Sequence, residues 1–243
     1  MDYSFLQCGE GALTVHLGDG IDPAINRRVT ALQGAIGSAG LRGITDLIPA
    51  YADLTVCYDC TVISAKALQR QLRRLLDSLS VAGQDRRRVF RLPVCYGGDY
   101  GPDLDFVCHH SGLSAQEVIA LHSAPDYLIY MLGFLPGFAY LGGLDPRLHT
   151  PRLDSPRTCI PAGSVGIGGA QTGGYPLASP GGWQLLGRTP VSVFDRQRQE
   201  PILYRAGDLV HFVPISPAEY EEIARAVAAG TYTVQVEEVP VCD

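Results

Sequence analysis

Lysine is the residue that this 243-residue sequence most clearly lacks, since Lys66 stands alone beside eighteen arginines. The motif GxxxxGK[ST] is absent, which excludes the commonest phosphate-binding loop, and Schiff-base chemistry has only one candidate lysine. The net charge of -6 also disfavours nucleic acid and anionic membranes as partners. Any nucleotide used by this protein is therefore expected to be held by another kind of site.

Several other features are missing. No apolar run approaches the roughly 18 residues that a membrane span requires, and the N-terminus does not have the pattern of a secretory signal. The seven cysteines include Cys57-x-x-Cys60 but no second CxxC, and neither H-x3-H nor HExxH occurs, so no metal site is predicted. An odd number of thiols without a signal sequence predicts a soluble, cytoplasmic protein with free cysteines.

What the sequence does contain is a long segment rich in glycine and proline, from Tyr130 to Pro190. It holds thirteen glycines and eight prolines, with no lysine and no glutamate. Glycine and proline both disfavour a helix interior, whereas the many apolar residues argue against a disordered linker. The segment is therefore predicted to form a compact lobe of tight turns and short strands.

Residues 1–85 read as a small two-layer α+β domain. Strands are predicted at Ala12 to Leu17, Ile44 to Pro49 and Asp53 to Tyr58, the last with alternating apolar residues. Asp22 and Ser64 are the predicted N-caps of two helices. The second helix has its apolar face at Leu68, Leu72, Leu75 and Leu79. Helices on one face of an antiparallel sheet are the expected arrangement.

Residues 86–243 read as a second domain, a β-barrel or sandwich. Strands are predicted at Val89 to Tyr96, where Pro93 indicates a sheet edge or a bulge, and at four later segments: Val191 to Phe194, Pro201 to Tyr204, Leu209 to Ile215 and Thr231 to Val239. Capping boxes at Ser114/Glu117 and Ser216/Glu219 predict two helices. The basic run Arg86 to Arg88 with Arg91 is interpreted as a solvated junction, with contact to a partner or an anionic ligand as the alternative.

Polar residues with possible chemistry cluster in or beside the lobe. His122 ends a predicted helix, where it can act as a general base or orienting donor, or simply bond the last helix carbonyls. The segment from Gly166 to Thr172 offers backbone N–H groups for an anion, with Gln171 and Thr172 as side-chain donors and acceptors. The alternative is a glycine-rich hairpin that merely turns tightly. Neither Ser164 nor Ser179 has the G-x-S-x-G context of a nucleophile.

Arginines are nearly the only positive charges of the lobe. Arg152, Arg157 and Arg188 can each bind a carboxylate bidentately or can brace loops, and their positions leave both readings open. Two histidines before the lobe, His109 and His110, are expected to be solvent-exposed in a polar loop.

Three strings of the lobe resemble the KipI/PxpB family, which includes the B subunit of bacterial 5-oxoprolinase. They are YMLGFLPGFAYLGGLDPRLHTPR, PAGSVGIGGAQTGGYP and SPGGWQLLGRTP. Outside the lobe, IDPAINRRV, IPAYADLTVCYD, LPVCYGGDYGPDL, GLSAQEVIALHS and GDLVHFVPI are similar to segments of the same family, so the resemblance covers essentially the whole chain. The string GGAQTGG departs from a more usual AGGQTGx, but it keeps Gln171 and Thr172.

The resemblance implies a fold of the α+β class, with a small two-layer N-terminal α+β domain at residues 1–85 and a cyclophilin-like β-barrel domain at residues 86–243. It implies ATP-dependent opening of 5-oxo-L-proline to L-glutamate, together with a cyclophilin-like C subunit and a third, A subunit. ATP, with Mg²⁺, would be bound by or shared with those partners, and this chain by itself would be inactive.

Within that activity, site roles can be assigned as hypotheses. His122 would transfer a proton or orient the substrate, and Gln171 would hold the amide. The remaining substrate-binding candidates are Phe134, Phe138, Tyr140, Arg152, Gly166, Gly168, Gly169, Thr172, Trp183 and Arg188.

Two alternatives stay open. One member of the same family inhibits a sensor histidine kinase, so the chain can instead be a regulatory binding protein. A related module is half of the carboxyltransferase that acts on urea and allophanate-type amides, but this reading would need a biotin-carrier domain, which the sequence lacks.

Overall fold

The computed structural model describes residues 3–80 and 86–240, which leaves Cys242 outside the described residues. The chain divides into two compact units, residues 1–85 and 86–243. Within the described ranges, none of the helices combines the length and apolarity that crossing a membrane requires.

The N-terminal unit is a four-stranded antiparallel sheet with two helices. Its elements are β1 (Ser4–Cys8), β2 (Ala12–His16), α1 (Pro23–Ala39), β3 (Ile44–Pro49), β4 (Asp53–Tyr58) and α2 (Ala65–Asp77). The strand order is β1-β2-β4-β3, and alternate residues of β4 are buried beneath the helices. Asp22 and Ser64 cap the helices as predicted. The buried face of α2 is Leu68, Leu72 and Leu76, with Leu75 and Leu79 packed at its margin.

The C-terminal unit has more elements. Its first half contains β5 (Arg86–Tyr96), α3 (Leu104–Ser111), α4 (Ala115–Ser123), β6 (Tyr127–Leu132), β7 (Ala139–Gly142), a short 3-10 helix (Pro146–Leu148) and β8 (Arg157–Ile160). Its second half contains β9 (Ser164–Gly168), β10 (Gln171–Gly174), β11 (Ser179–Gly181), β12 (Gln184–Arg188), β13 (Leu209–Ile215), α5 (Pro217–Ala228) and β14 (Gln235–Pro240).

Seven of these strands form a closed barrel in the order β12-β9-β10-β7-β6-β13-β5, because β5 also pairs with β12. β14 extends the sheet on β5, and β8 pairs with β11 outside the barrel. The barrel interior is filled by apolar side chains such as Val94, Ile129 and Phe212. The predicted α+β class, with a two-layer N-terminal domain and a β-barrel domain, is confirmed.

The proline in β5 marks only a local edge. β13 runs along one flank of β5, whereas the other flank is shared by β14 as far as Arg91 and by β12 from Cys95 onward. Pro93 falls in the interval between these two partners, where one flank of β5 is unpaired and a proline is tolerated. Of the two predictions, a sheet edge or a bulge, the edge therefore holds only locally at Pro93, because β5 is paired on both flanks elsewhere.

Three other expectations need correction. The segments Val191 to Phe194 and Pro201 to Tyr204 are not strands, since a single bridge between Phe194 and Ile202 joins them within the connection from β12 to β13. The loop assigned to His109 and His110 is the last turn of α3, although both residues are exposed as expected.

The basic run is not a solvated junction either, because it lies within β5. Arg88 forms a bidentate pair with Asp208, at 3.0 and 2.6 Å, and Arg91 forms another with Glu237, at 2.8 and 2.9 Å.

Candidate functional site

An aromatic cleft of about 280 Å³ opens on the C-terminal unit, and four separate segments build it. Its lining residues are Phe134, Phe138, Tyr140, Arg152, Pro156, Tyr175, Pro180, Gly181, Gly182 and Trp183. Phe134 lies in the turn between β6 and β7, and Tyr140 lies on β7. Arg152 precedes β8, and Trp183 precedes β12. The cleft thus brings together five residues that the sequence analysis selected for substrate binding.

The floor of the cleft is a rigid cluster of rings around Phe138. Four rings meet Phe138 edge to face, namely Phe134, Tyr140, Tyr175 and Trp183, at centroid distances of 5.4, 5.1, 5.5 and 5.5 Å. Phe138, Tyr175 and Trp183 are almost fully buried. Edge-to-face packing of this kind holds rings in one orientation, so the cleft is preformed.

Glycines let the backbone approach these rings closely. A Cβ on Gly168 would collide with the Trp183 indole, and one on Gly166 would lie 2.5 Å from the carbonyl oxygen of Gln184. β9, which carries both glycines, pairs with β10 on one side and β12 on the other. The N–H of Gly169 donates to the carbonyl of Thr150 at 2.8 Å. These three candidates therefore serve the packing of the wall behind the cleft, which favours the tight-hairpin reading over an anion nest.

Arg152 places a positive charge over the aromatic floor. Its guanidinium carbon lies 5.9 Å from the centre of the Trp183 ring, and Nη2 donates to Oε1 of Gln171 at 3.3 Å. Within residues 3–80 and 86–240, no carboxylate forms an ion pair with Arg152. An arginine that stacks on a ring and keeps donors for an external group can bind a carboxylate bidentately.

The other two candidate arginines have different surroundings. Arg157 donates to Asp103 at 2.7 Å and to the carbonyl of Trp183 at 3.3 Å, so it braces the wall from behind. Arg188 ends β12 and lies near Tyr220, and it does not line the cleft. The structure therefore does not bring Arg188 together with the other candidates.

His122 lies in the last turn of α4 with none of its surface exposed. Nδ1 lies 2.8 Å from the Tyr96 hydroxyl, and Nε2 lies 2.7 Å from Oγ1 of Thr172. The Thr172 hydroxyl donates to the carbonyl of Gly166 at 3.0 Å, so its oxygen accepts from Nε2–H of His122. Nδ1 is then the acceptor of the Tyr96 O–H, and each polar group of this chain of bonds has a partner.

Burial without a charged partner keeps His122 neutral. Desolvation lowers the pKa of His122 from 6.5 to about 3, and desolvation also raises the pKa of Tyr96 well above its usual value. The ring stacks on Phe212 at 5.0 Å, which further fixes its orientation. A neutral imidazole with both nitrogens occupied inside the barrel is placed to hold Thr172 and β10. This geometry favours a positioning role over the predicted proton transfer.

Tyr175, Pro156 and Pro180 also line the cleft, although they were not predicted from the sequence. Tyr175 follows the glycines of β10 directly, and an aromatic residue next to such a run is the signal that would have found it. Tyr96, the partner of His122, gave no signal, because the contact joins residues far apart in the sequence.

Comparisons with known proteins give the chain its family. Residues 3–204 match the family described as carboxyltransferase domain, subdomain C and D. The chain belongs to this family. A relative from Bacillus subtilis (strain 168), named as the B subunit of 5-oxoprolinase, is 42% identical over 90% of this chain and 95% of its own length. A second relative of that name, from Escherichia coli O157:H7, is 45% identical over 85% of this chain and 93% of its own length.

Two solved structures carry the same fold. The crystal structure of TTHA0988 is 41% identical and has a TM-score of 0.75 over 84% of this chain, which spans only 40% of that longer chain. The K. lactis urea amidolyase is 23% identical, with a TM-score of 0.83 over 98% of this chain and 16% of its own, and this likeness shows the fold alone.

The family resemblance predicted from the sequence is thus confirmed. Its three strings supply nearly all of the cleft: the first carries Phe134, Phe138, Tyr140 and Arg152, the second Tyr175, and the third Pro180 and Trp183.

Proposed function

We propose that this chain is the B subunit of a 5-oxoprolinase complex, which opens 5-oxo-L-proline to L-glutamate with ATP. The observation that carries the proposal is an arginine without a carboxylate partner in the described chain, set above an aromatic floor. The high identity to relatives named as the B subunit of 5-oxoprolinase, over nearly their full length, supports the choice of substrate.

Each part of 5-oxoproline has a counterpart in the cleft. The substrate is a small flat lactam ring that carries one carboxylate. Arg152 binds this carboxylate through two parallel N–H donors, while Trp183 and Tyr140 contact the faces and edges of the ring. The Gln171 side chain, 3.3 Å from Arg152, is close enough to hydrogen bond the lactam amide. The cleft thereby fixes the orientation of the amide relative to the carboxylate.

The role of this chain is to bind and orient rather than to activate the amide. A lactam is a poor electrophile, and transfer of phosphate from ATP to its oxygen would make it reactive towards water. The residues of the cleft do not fit ATP, because a triphosphate carries several negative charges and Arg152 is one cation, and the sequence has no lysine-bearing phosphate loop. We therefore assign ATP and Mg²⁺ to the partners, the C subunit and the A subunit.

His122 and Thr172 contribute from behind the cleft wall. Thr172 is the neighbour of Gln171 on β10, so the bond from His122 to Thr172 holds the strand that presents Gln171. His122 is a positioning residue in this account. The described cysteines are all free thiols, which agrees with a cytoplasmic complex.

The test is to co-purify the chain with its partner subunits and to measure glutamate release from 5-oxoproline with and without ATP. We expect release only with ATP and only from the complete complex, with none from this chain alone. Absence of release, together with saturable inhibition of a sensor histidine kinase, would replace the proposal with the regulatory reading. Turnover of urea in place of 5-oxoproline would replace it with the carboxyltransferase reading.

A further inference from the structure

Phe134 has an unusual backbone conformation at the mouth of the cleft. Its φ angle is 60°, and it is the one residue other than glycine with positive φ among those the structure describes. Side chains on L-residues disfavour this region, most of all bulky ones. The turn imposes the conformation through short backbone bonds, in which the N–H of Leu135 donates to Gly133 at 2.6 Å and that of Phe138 donates to Leu135 at 2.9 Å.

Packing within the described chain does little to offset this strain. Phe134 remains 62% exposed, and its ring contacts the ring of Phe138 edge to face. A glycine would adopt the same φ without a steric penalty. The large exposed ring therefore contributes little to the stability of the turn. This favours a role of the ring in binding, through a ligand that it covers.

The cleft beneath the ring is suited to hold such a ligand. Phe134 and Arg152 line the same opening, one apolar and the other a cation without a carboxylate partner in the described chain. An ion pair between Arg152 and a carboxylate strengthens when water is kept away from it. The positive charge selects an anionic occupant, and the volume of about 280 Å³ selects a small one.

We propose that Phe134 is the cap of the cleft, closing over a small carboxylate-bearing amide bound at Arg152. This inference rests on the proposed function, because it takes the cleft as the substrate site. Ligand binding buries the exposed ring, which contributes affinity and keeps water from the ion pair. The backbone bonds of the unoccupied turn hold the ring at the mouth of the cleft before the ligand arrives.

The test compares Phe134→Gly and Phe134→Leu with Phe106→Ala, which truncates another exposed phenylalanine, on α3 outside the cleft. The chain contains one tryptophan, Trp183, which lines the cleft and reports binding by its fluorescence. Each protein is titrated with 5-oxoproline, L-proline and L-glutamate, both by itself and in the complex. KM and kcat for 5-oxoproline are measured in the complex, and Tm is measured for each chain.

We expect Phe134→Gly to weaken binding of the preferred carboxylate by about 10- to 30-fold, the loss that follows when a ring of this size is no longer buried. KM should rise in parallel while kcat changes less, and Phe134→Leu should restore part of the affinity. The Tm of Phe134→Gly should stay within about 2–4 °C of the parent, since relief of strain offsets the lost ring contact. Phe106→Ala should match the parent in affinity and KM.

Unchanged affinity and KM in Phe134→Gly would overturn the cap, as would a large fall in Tm with no loss of affinity. The same holds if none of the three carboxylates changes the fluorescence of the parent chain or of the complex. The proposed function fails separately, when the complete complex releases no glutamate. A cap that favours another carboxylate than 5-oxoproline would stand while the function falls.

Discussion

Gln171 and Thr172 are neighbours on β10, yet they belong to two different environments. Successive side chains of a strand point to opposite faces, so Thr172 enters the barrel core and meets His122, whereas Gln171 stays half-buried beside Arg152. Inside the barrel, every polar side-chain atom of the hydrogen-bond network from Tyr96 to Gly166 has a partner within 3.0 Å. Outside, the guanidinium of Arg152 has no carboxylate partner among the described residues.

The difference between these two regions separates structure from chemistry. Buried polar groups without partners are costly, so a core network is stable only when it is complete. A charged group at the surface of a cleft is hydrated without such a penalty and can exchange water for a ligand. We therefore interpret the complete network as a support, and we propose Arg152 as the point at which a ligand binds.

The largest expected effect is a loss of stability when the hydrogen-bond network around His122 is broken. His122→Ala removes the acceptor of the Tyr96 hydroxyl and the donor to the Thr172 oxygen, and it opens a cavity in the barrel, so we expect the free energy of unfolding to fall by about 3–5 kcal/mol. Denaturant unfolding monitored by circular dichroism measures it. A loss below about 1 kcal/mol would show that the network does not support the barrel, and the contrast with the cleft would disappear.

The same histidine predicts an acid limit. Its pKa is about 3 when folded, against 6.5 as its ordinary value, so between these pH values the unfolded chain binds a proton that the folded chain does not. The stability that depends on neutral His122 is fully present above pH 6.5 and is lost as the pH falls, by up to about 1.4 kcal/mol per pH unit.

His122→Gln is the matched control for this dependence, because its amide cannot titrate. Unfolding free energies of both proteins are measured from about pH 8 to about pH 4, a range that spans the ordinary histidine pKa. The advantage of the parent should be constant above pH 6.5 and should shrink below it. Parallel curves across the whole range would mean that His122 is not held neutral by burial.

At the cleft we expect a smaller change in the free energy of unfolding but the largest change in activity. Arg152→Gln removes the cation that is proposed to pair with the carboxylate of 5-oxoproline. We therefore expect kcat/KM for 5-oxoproline in the complex to fall by about 100-fold. The free energy of unfolding should change by less than about 0.5 kcal/mol. Arg152→Lys should lie between, since lysine keeps the charge without the bidentate fork. Steady-state glutamate release gives the activity.

Arg147→Gln is the control for Arg152, because Arg147 is also exposed but pairs with Asp145 at 2.7 Å outside the cleft. It should retain the activity of the parent. Equal activities of the Arg152 and Arg147 variants would remove Arg152 from the site.

Local rules went far in predicting this protein. The caps at Asp22, Ser64, Ser114 and Ser216 were read from residue type and spacing alone, and all four are present. Such signals act within one turn of chain, so no tertiary information is needed. The strands wrongly predicted after Pro190 show the limit, because apolar alternation is the same in a strand and in a loop that packs on a closed barrel.

The candidate site was predictable in its members but not in their roles. The resemblance and the composition of the lobe selected Arg152, Trp183 and the aromatic residues. Arg152, Arg157 and Arg188 are equivalent as sequence, and only the fold pairs Arg157 with Asp103 and moves Arg188 away from the cleft. The burial of His122 was likewise open, because a histidine at a helix end can face solvent or core.

The sequence by itself determined the class of fold, the helix ends and the composition of a glycine-rich lobe with aromatic residues and few charges. These properties depend on backbone freedom, capping and periodicity, which neighbouring residues decide. Only the tertiary structure decided which arginine of the lobe lines the cleft, which side of β10 faces it and that His122 is neutral. Charge pairing and burial depend on residues distant in the chain, and the closure of the barrel brings those residues together.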